Sequence, residues 1–152
     1  GSRWVAQGTP PPCPSPLAFP APVAPTQPTA VLYPGQIRGG NYKAHGGFLF
    51  ATGTNDQVTV RAPMAGIVHR GARYIESDEV QYLFDIINSC GVMHRFDHLL
   101  TLSPRFAALA ETFPPAGASS ATTQVAPGEV VSEGEIIATA VGFKKSGNTS
   151  VD

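Results

Sequence analysis

Two histidines four positions apart are the sequence's best candidates for chemistry. His94 and His98 lie in a β-prone run, and side chains alternate along a strand, so we expect residues 94, 96 and 98 to share one face. An imidazole titrates near neutrality and suits proton transfer or stabilisation of a developing charge. The pattern predicts a ligand groove lined by Tyr74, His94, Phe96 and His98. The alternative is that cross-strand partners hold each histidine in a structural role.

A third histidine has a setting that fits either a ligand or a turn. His45 is followed by two glycines, which permit a sharp turn and close approach of the backbone. As a metal ligand it needs partners on neighbouring strands. The alternative is a polar residue at a strand start, hydrogen-bonded to a carbonyl group.

The two cysteines also leave two interpretations open. Cys13 and Cys90 form a disulfide that ties the N-terminal segment to the body, which implies an oxidising compartment, or they are two unrelated thiols. The chain has no C-x-x-C motif, which excludes a zinc ribbon and a dithiol redox site.

Proline divides the chain into an arm and a body. Ten of the 15 prolines precede residue 36, so residues 1–36 are predicted to form an extended arm or linker and residues 37–152 a single β domain. The net charge of −1 does not favour nucleic-acid binding. No apolar run is long enough for a membrane-spanning helix.

Short apolar runs separated by turn residues predict an all-β domain with one short helix. Residues 80–87 and 92–102 read as a hairpin across Asn88–Gly91, and residues 106–112 as the helix, with Ser103 as its N-cap. Residues 9–28 are predicted to lack helix and strand. The expected core includes Val58, Val60, Ile67, Val68, Phe84, Ile86, Ile136 and Val141.

Three separated segments resemble the lysostaphin/LytM-type zinc metallopeptidase domain. The first covers residues 42–68 and contains His45 and the run VRAPMAGIV. The second is FDHL at residues 96–99, and the third is VVSEGEIIA at residues 130–138. Their order and spacing resemble the family over residues 42–152. The resemblance implies a barrel-sandwich fold of the duplicated-hybrid-motif type.

The resemblance also implies a zinc site from which this chain departs. The family binds zinc through a first histidine, an aspartate four residues later and the second histidine of a late His-x-His motif. His45 fits the first position, but Leu49 stands at the aspartate position, and Ser150 and Asp152 stand at the late pair. A catalytic zinc normally has three protein ligands, and His45 with Asp152 leaves at least one missing. His98 matches the family's histidine that stabilises the transition state.

We therefore expect a non-catalytic binding or scaffold module without a cofactor. The resemblance implies a cell-envelope, extracytoplasmic setting, with a peptidoglycan peptide or a protein partner as ligand. The competing expectation is an active zinc-dependent cell-wall endopeptidase in which His98 is catalytic, and a third is a purely structural protein. The chain stops where the family's next core strand would run, so a C-terminally truncated domain is also expected.

Biotinyl and lipoyl carrier domains show a similar pair of motifs. Their chemistry needs a lysine at a hairpin tip, usually between two methionines. Neither Met64 nor Met93 adjoins a lysine, and Lys144 and Lys145 follow a strand without that setting. A carrier-like domain is therefore retained only as an alternative.

Overall fold

The computed structural model describes residues 8–142 and the backbone of residues 150–151. The described elements are eleven strands, one α-helix and a 3-10 turn at Asn55–Gln57. In chain order, the strands and the helix are β1 (Ala30–Leu32), β2 (Gln36–Arg38), β3 (Asn41–Lys43), β4 (Gly47–Leu49), β5 (Val60–Arg61), β6 (Gly66–Glu76), β7 (Glu79–Ile87), β8 (Met93–Leu102), α1 (Pro104–Ala110), β9 (Thr123–Val131), β10 (Ile136–Val141) and β11 (Ser150–Val151).

Three antiparallel sheets make up the described fold. The largest has six strands in the order β5-β10-β8-β7-β6-β9, a second has the order β1-β4-β11, and β2 and β3 form a separate hairpin. The prediction of an all-β fold with one short helix is confirmed, and the described sheets are open, with no closed barrel. The hairpin predicted across Asn88–Gly91 is present as β7 and β8.

The helix begins where its sequence signals place it. Ser103 has the extended backbone of an N-cap, and Pro104 occupies the first turn, where a missing N–H group costs nothing. Phe106 packs edge-on against Phe84 of the six-stranded sheet, with ring centroids 5.1 Å apart. The helix therefore covers one face of the sheet at the centre of the core. In the part of the chain that the structure describes, no helix is long and apolar enough to cross a membrane.

Most of the predicted core is buried, and one residue is a clear exception. Ile67 is exposed, although its neighbour Val68 is fully buried. Alternation along β6 turns Ile67 to the opposite face, where Val130 of the edge strand β9 stands directly across from it and is 68% exposed. Ile136 is half-buried. The predicted residues that are buried are Val58, Val60, Val68, Phe84, Ile86 and Val141.

The proline-rich arm lies on the body. Residues 9–28 contain neither helix nor strand, as predicted. Val23 is nevertheless buried in the main core, and the Arg61 N–H group of the edge strand β5 donates to the Pro22 carbonyl over 2.8 Å. Strand β1 begins at Ala30, before the predicted boundary at residue 36. The arm thus contributes a core side chain and caps one edge of the large sheet.

Candidate functional site around His98

A bulge in β8 determines where His98 points. Phe96 pairs with Phe84 and Leu99 with Tyr82, so two residues of β8, Asp97 and His98, lie opposite the single residue Leu83 of β7. His98 itself has a φ of 58°, a left-handed conformation that is uncommon outside glycine. The bulge breaks the alternation along the strand and moves the His98 side chain to the face opposite Phe96. The prediction that residues 94, 96 and 98 share one face is therefore wrong.

His98 lies in a polar cluster with Tyr74, Gln81 and Asp97. Its Nδ1 atom is 2.9 Å from Oε1 of Gln81 and 3.3 Å from the Tyr74 hydroxyl oxygen. The Tyr74 hydroxyl donates to the Asp97 carboxylate, which also accepts from the His98 backbone N–H over 2.8 Å. The four residues thus form one connected hydrogen-bond network, and they define what we call the His98 cluster.

Burial of the surrounding residues orients the imidazole. Gln81 and Tyr74 are both buried, and the Gln81 amide donates to the Gly142 carbonyl over 3.3 Å. Because the single Tyr74 hydroxyl proton goes to Asp97, the Gln81 Oε1 atom is left to accept a proton from His98 Nδ1. In this neutral tautomer the lone pair is on Nε2. The cluster therefore fixes both the tautomer and the ring plane of a histidine that is 16% exposed.

Electrostatics keep the tyrosine neutral. Burial, followed by the charge of Asp97 and the hydrogen bond to it, raises the pKa of Tyr74 well above its ordinary value. The phenol is therefore a permanent hydrogen-bond donor at physiological pH. Glu76 adds a carboxylate at the edge of the cluster, 3.8 Å from His98 Nδ1. The site consequently has two carboxylates beside one imidazole.

The other half of the predicted groove lies on the opposite face, beneath the arm. The Phe19 ring contacts His94 edge-on at 4.9 Å, and Phe96 is buried in the core. Burial lowers the pKa of His94, so its imidazole is neutral at pH 7. A cavity of about 240 Å³ remains there, between the arm, β4 and β8. The structure thus brings Tyr74 and His98 together but separates them from His94 and Phe96.

Of the two metal-ligand candidates, the structure describes His45 but not Asp152. His45 lies in an exposed bend between β3 and β4, where its carbonyl accepts from Arg38 over 3.3 Å. Leu49 is half-buried in β4, with Ala30 and Ser150 as its partners on the two sides. Asp152, Lys144 and Lys145 lie outside the described residues. Within the described residues, no three His, Cys, Asp or Glu side chains come close enough to hold a metal ion, and Leu49 has no donor atom to offer one.

Cys13 and Cys90 form a disulfide across 77 positions of sequence. Cys90 sits in the tight turn between β7 and β8, where its N–H group donates to the Asn88 side chain over 3.0 Å. The interpretation of two unrelated thiols is therefore wrong for this structure. The bond fixes the start of the arm to one end of the large sheet.

Sequence reasoning missed two polar residues that the site depends on. Gln81 and Asp97 supply the partners of His98. Gln81 had a signal, because it is a polar residue inside an otherwise apolar β-prone run, whereas Asp97 stands among polar neighbours and had no such signal. A buried polar side chain requires a hydrogen-bond partner. The run VQYLFDII at residues 80–87 therefore indicated polar partners on neighbouring strands, although not their identity.

Comparison with family models, with curated proteins and with solved structures finds no match to this chain. The resemblance to the lysostaphin/LytM-type domain therefore rests on the three motifs and remains a prediction. What the described geometry provides chemically is an oriented, partly exposed imidazole with carboxylates beside it. This arrangement suits hydrogen bonding to a ligand.

Proposed function

We propose that this chain is a non-catalytic binding module built on a lysostaphin/LytM-type scaffold that has lost its zinc ligands. The observation that carries the proposal is the register between β4 and β11, in which Ser150 lies directly opposite Leu49. In the metallopeptidase family these two positions belong to the strands that contribute metal ligands. The two positions that the resemblance aligns with ligand positions therefore lie side by side, which supports the proposal, and Leu49 provides no donor atom.

His98 supports a binding role on independent grounds. A buried glutamine and a buried tyrosine hold its ring, and the left-handed backbone at His98 requires support from its surroundings. Strained and over-determined residues concentrate at functional sites. An imidazole exchanges hydrogen bonds with amide and carboxylate groups, both abundant in peptidoglycan stem peptides.

The proposed setting is the cell envelope outside the cytoplasm. The disulfide between Cys13 and Cys90 supports it, because such bonds persist mainly in oxidising compartments. The ligand we propose is a peptidoglycan peptide, with a protein partner as the alternative. No metal cofactor is part of this proposal.

The deciding experiment measures binding and cleavage together on the oxidised chain. Co-sedimentation with purified, insoluble peptidoglycan is expected to retain wild-type protein, and His98→Ala is expected to reduce retention at least about tenfold, the effect of losing a hydrogen bond to a charged group. His45→Ala is the matched control and should bind like wild type. No new amine termini should appear in the peptidoglycan, with or without added zinc. Zinc-dependent release of stem peptides would establish the active endopeptidase instead.

A further inference from the structure

Residues 14–21 of the arm are fixed at both ends and loosely held between them. At one end the disulfide joins Cys13 to Cys90. At the other end Pro22 is hydrogen-bonded to the edge of the large sheet and Val23 is buried in the core. Three of the eight residues between these anchors are proline, which has no N–H group to donate. We call residues 14–21 the strap.

One ring contact holds the strap to the body. In the described part of the chain the strap makes no hydrogen bond, and each of its residues except Phe19 is exposed. The Phe19 ring meets the His94 imidazole edge-on, with centroids 4.9 Å apart. A segment with so few buried contacts opens at a small cost in free energy, without unfolding of the sheet. The position of the strap therefore depends on the state of His94.

His94 lies where a positive charge is unfavourable. Its Nδ1 atom is buried and has no hydrogen-bond partner among the described residues. Its ring neighbours are Phe19 and Phe96, and the Phe96 ring is nearly parallel to it at 6.4 Å. A neutral imidazole can leave Nδ1 without a proton, whereas an imidazolium carries an N–H on both nitrogens and has to bury one of them unpaired. Burying an unpaired charged donor is costly, and burial accordingly lowers the pKa of His94.

The charged groups around His94 do not offset this cost. The strap has no acidic or basic side chain. On β7 the neighbouring carboxylate is Asp85, which alternation turns to the other face of the sheet, where it pairs with Arg95. The other titratable groups on the elements around the cavity beside His94 are Arg61 of β5 and His45, which precedes β4. Both are cationic in acid, so protonation of His94 is unfavourable as long as the strap is closed.

We propose that the strap is an acid-sensitive switch, which is closed over neutral His94 and opens when His94 is protonated. Opening moves Phe19 away and lets the imidazolium reach water. It also uncovers the sheet face beside the cavity lined by Phe48 and Phe96. Because the disulfide and Val23 keep both ends of the open strap in place, closure at neutral pH is an intramolecular step. This inference does not depend on the proposed function.

The direction of the switch follows from the linkage between proton binding and opening. With the strap open, His94 has its ordinary pKa of about 6.5, and with the strap closed burial lowers that pKa. As pH falls below about 6.5, the open form therefore takes up the proton first, and the ratio of closed to open strap falls about tenfold per pH unit. This fall ends once pH passes the pKa of the closed form.

Nuclear magnetic resonance of the oxidised full chain tests the switch between about pH 7.5 and about pH 4.5, a range that includes the ordinary pKa of histidine. Relaxation of the amide nitrogens at residues 17–19 reports the order of the strap. Their order parameters should exceed about 0.6 at neutral pH and fall below that value in acid. The ring-proton contact between Phe19 and His94 should be lost over the same range. The core contact between Phe84 and Phe106 should persist, which separates strap opening from unfolding.

Two variants assign the effect to the contact between Phe19 and His94. His94→Phe keeps a ring against Phe19 but cannot be protonated, so its strap should stay closed throughout this pH range. Phe19→Ala removes the contact, so its strap should be open at every pH. Leu17→Ala is the matched control, because this strap residue is 48% exposed and lies two positions from Phe19, and it should switch like wild type.

His94→Gln provides a second uncharged variant, and its strap should likewise not respond to pH. A wild-type strap that stays ordered down to about pH 4.5, two units below the ordinary pKa of histidine, would overturn the proposal. So would a strap that opens equally in the two His94 variants and in wild type, or a His94 titration that leaves the Phe19 contact intact. Loss of the contact between Phe84 and Phe106 at the same pH would replace the switch by acid unfolding.

Discussion

Asp85 and Arg95 form a two-pronged ion pair across the β7–β8 ladder. Nε and Nη2 of the guanidinium lie 2.8 and 2.9 Å from the two carboxylate oxygens. The Asp85 side chain is fully buried, while that of Arg95 is 49% exposed. The hydrogen bonds to Asp85 raise the pKa of Arg95 further above its ordinary value. The Arg95 side chain thus reaches from the surface to pair its positive charge with a carboxylate in the interior.

Removing the arginine should therefore destabilise the protein more than an ordinary surface change. Arg95→Met leaves a buried carboxylate with its main charge partner gone, and we expect the free energy of unfolding to fall by about 3 kcal/mol. Urea unfolding measures it. Arg61→Met, which removes a single hydrogen bond to the Gly134 carbonyl, is the control and should cost about 1 kcal/mol. Equal losses would contradict the role of Asp85 burial.

Tyr74→Phe tests the His98 cluster without changing its shape. The variant removes the hydroxyl that donates to Asp97, and a hydrogen bond to a charged group contributes about 2 kcal/mol. The free energy of unfolding should fall by about that amount. Tyr33→Phe, at an exposed tyrosine, should change it by less than about 0.5 kcal/mol.

Alkaline pH should also distinguish wild type from Tyr74→Phe. The pKa of Tyr74 is raised in the folded state, so the unfolded chain releases this proton first. The contribution to stability is therefore fully present below the unfolded pKa of about 10 and is lost as pH rises above it. Wild type should lose more stability than Tyr74→Phe above pH 10. Parallel curves would show that Tyr74 titrates normally.

Acidic pH should lower the stability of the protein through His94, which lies on the other face of the sheet. Burial lowers the pKa of His94, so as pH falls the unfolded chain takes up this proton first. Stability is therefore lost as pH drops below the unfolded pKa of about 6.5. His94→Gln should show a smaller loss between pH 7 and pH 5 than wild type. Equal losses in wild type and His94→Gln over this range would contradict the lowered pKa of His94.

The disulfide should be detectable chemically and thermodynamically. Thiol titration of the unfolded, unreduced protein should find no free thiol, and finding two would exclude the bond between Cys13 and Cys90. The double variant Cys13→Ser/Cys90→Ser opens a loop of 77 positions. The loop-entropy model gives a loss of about 4.5 kcal/mol for a loop of this size. Urea unfolding of the oxidised protein and the variant measures it.

Restoring one absent ligand should not restore zinc binding. Leu49→Asp places a carboxylate where the resemblance expects one, but the late histidine is still missing from the sequence. We expect no stoichiometric zinc by elemental analysis of either protein after loading and dialysis. His45→Ala should change the free energy of unfolding by no more than about 0.5 kcal/mol. One tightly held zinc ion per wild-type chain, lost in His45→Ala, would contradict this expectation.

Local patterns predicted the secondary structure well because they act through the backbone. Alternating apolar residues indicated β7 and β8, and Ser103 with Pro104 marked the start of the helix. These signals depend on neighbours along the chain, so no tertiary information was needed. The Ile67 error arose because β-propensity does not reveal which face of a strand is covered.

The candidate site was less predictable because one extra residue in a strand changes the sheet face to which the neighbouring side chains point. Strict alternation placed His98 beside Phe96, and only the bulge at Asp97 and His98 places it beside Gln81. A bulge has no strong signal in a single sequence. Proline composition likewise indicated that the arm is extended, yet it did not indicate that Val23 fills a place in the core.

The bond between Cys13 and Cys90 also determines how the protein carries a mechanical load. A pull on the chain before Cys13 passes through the disulfide directly into the β7–β8 turn. It therefore bypasses residues 14–89, which include most of the arm and strands β1–β7. The arm cannot be peeled from the body by tension applied from that side. A force-extension measurement should show the intervening chain held at its folded length until the bond is reduced, when its contour length is released.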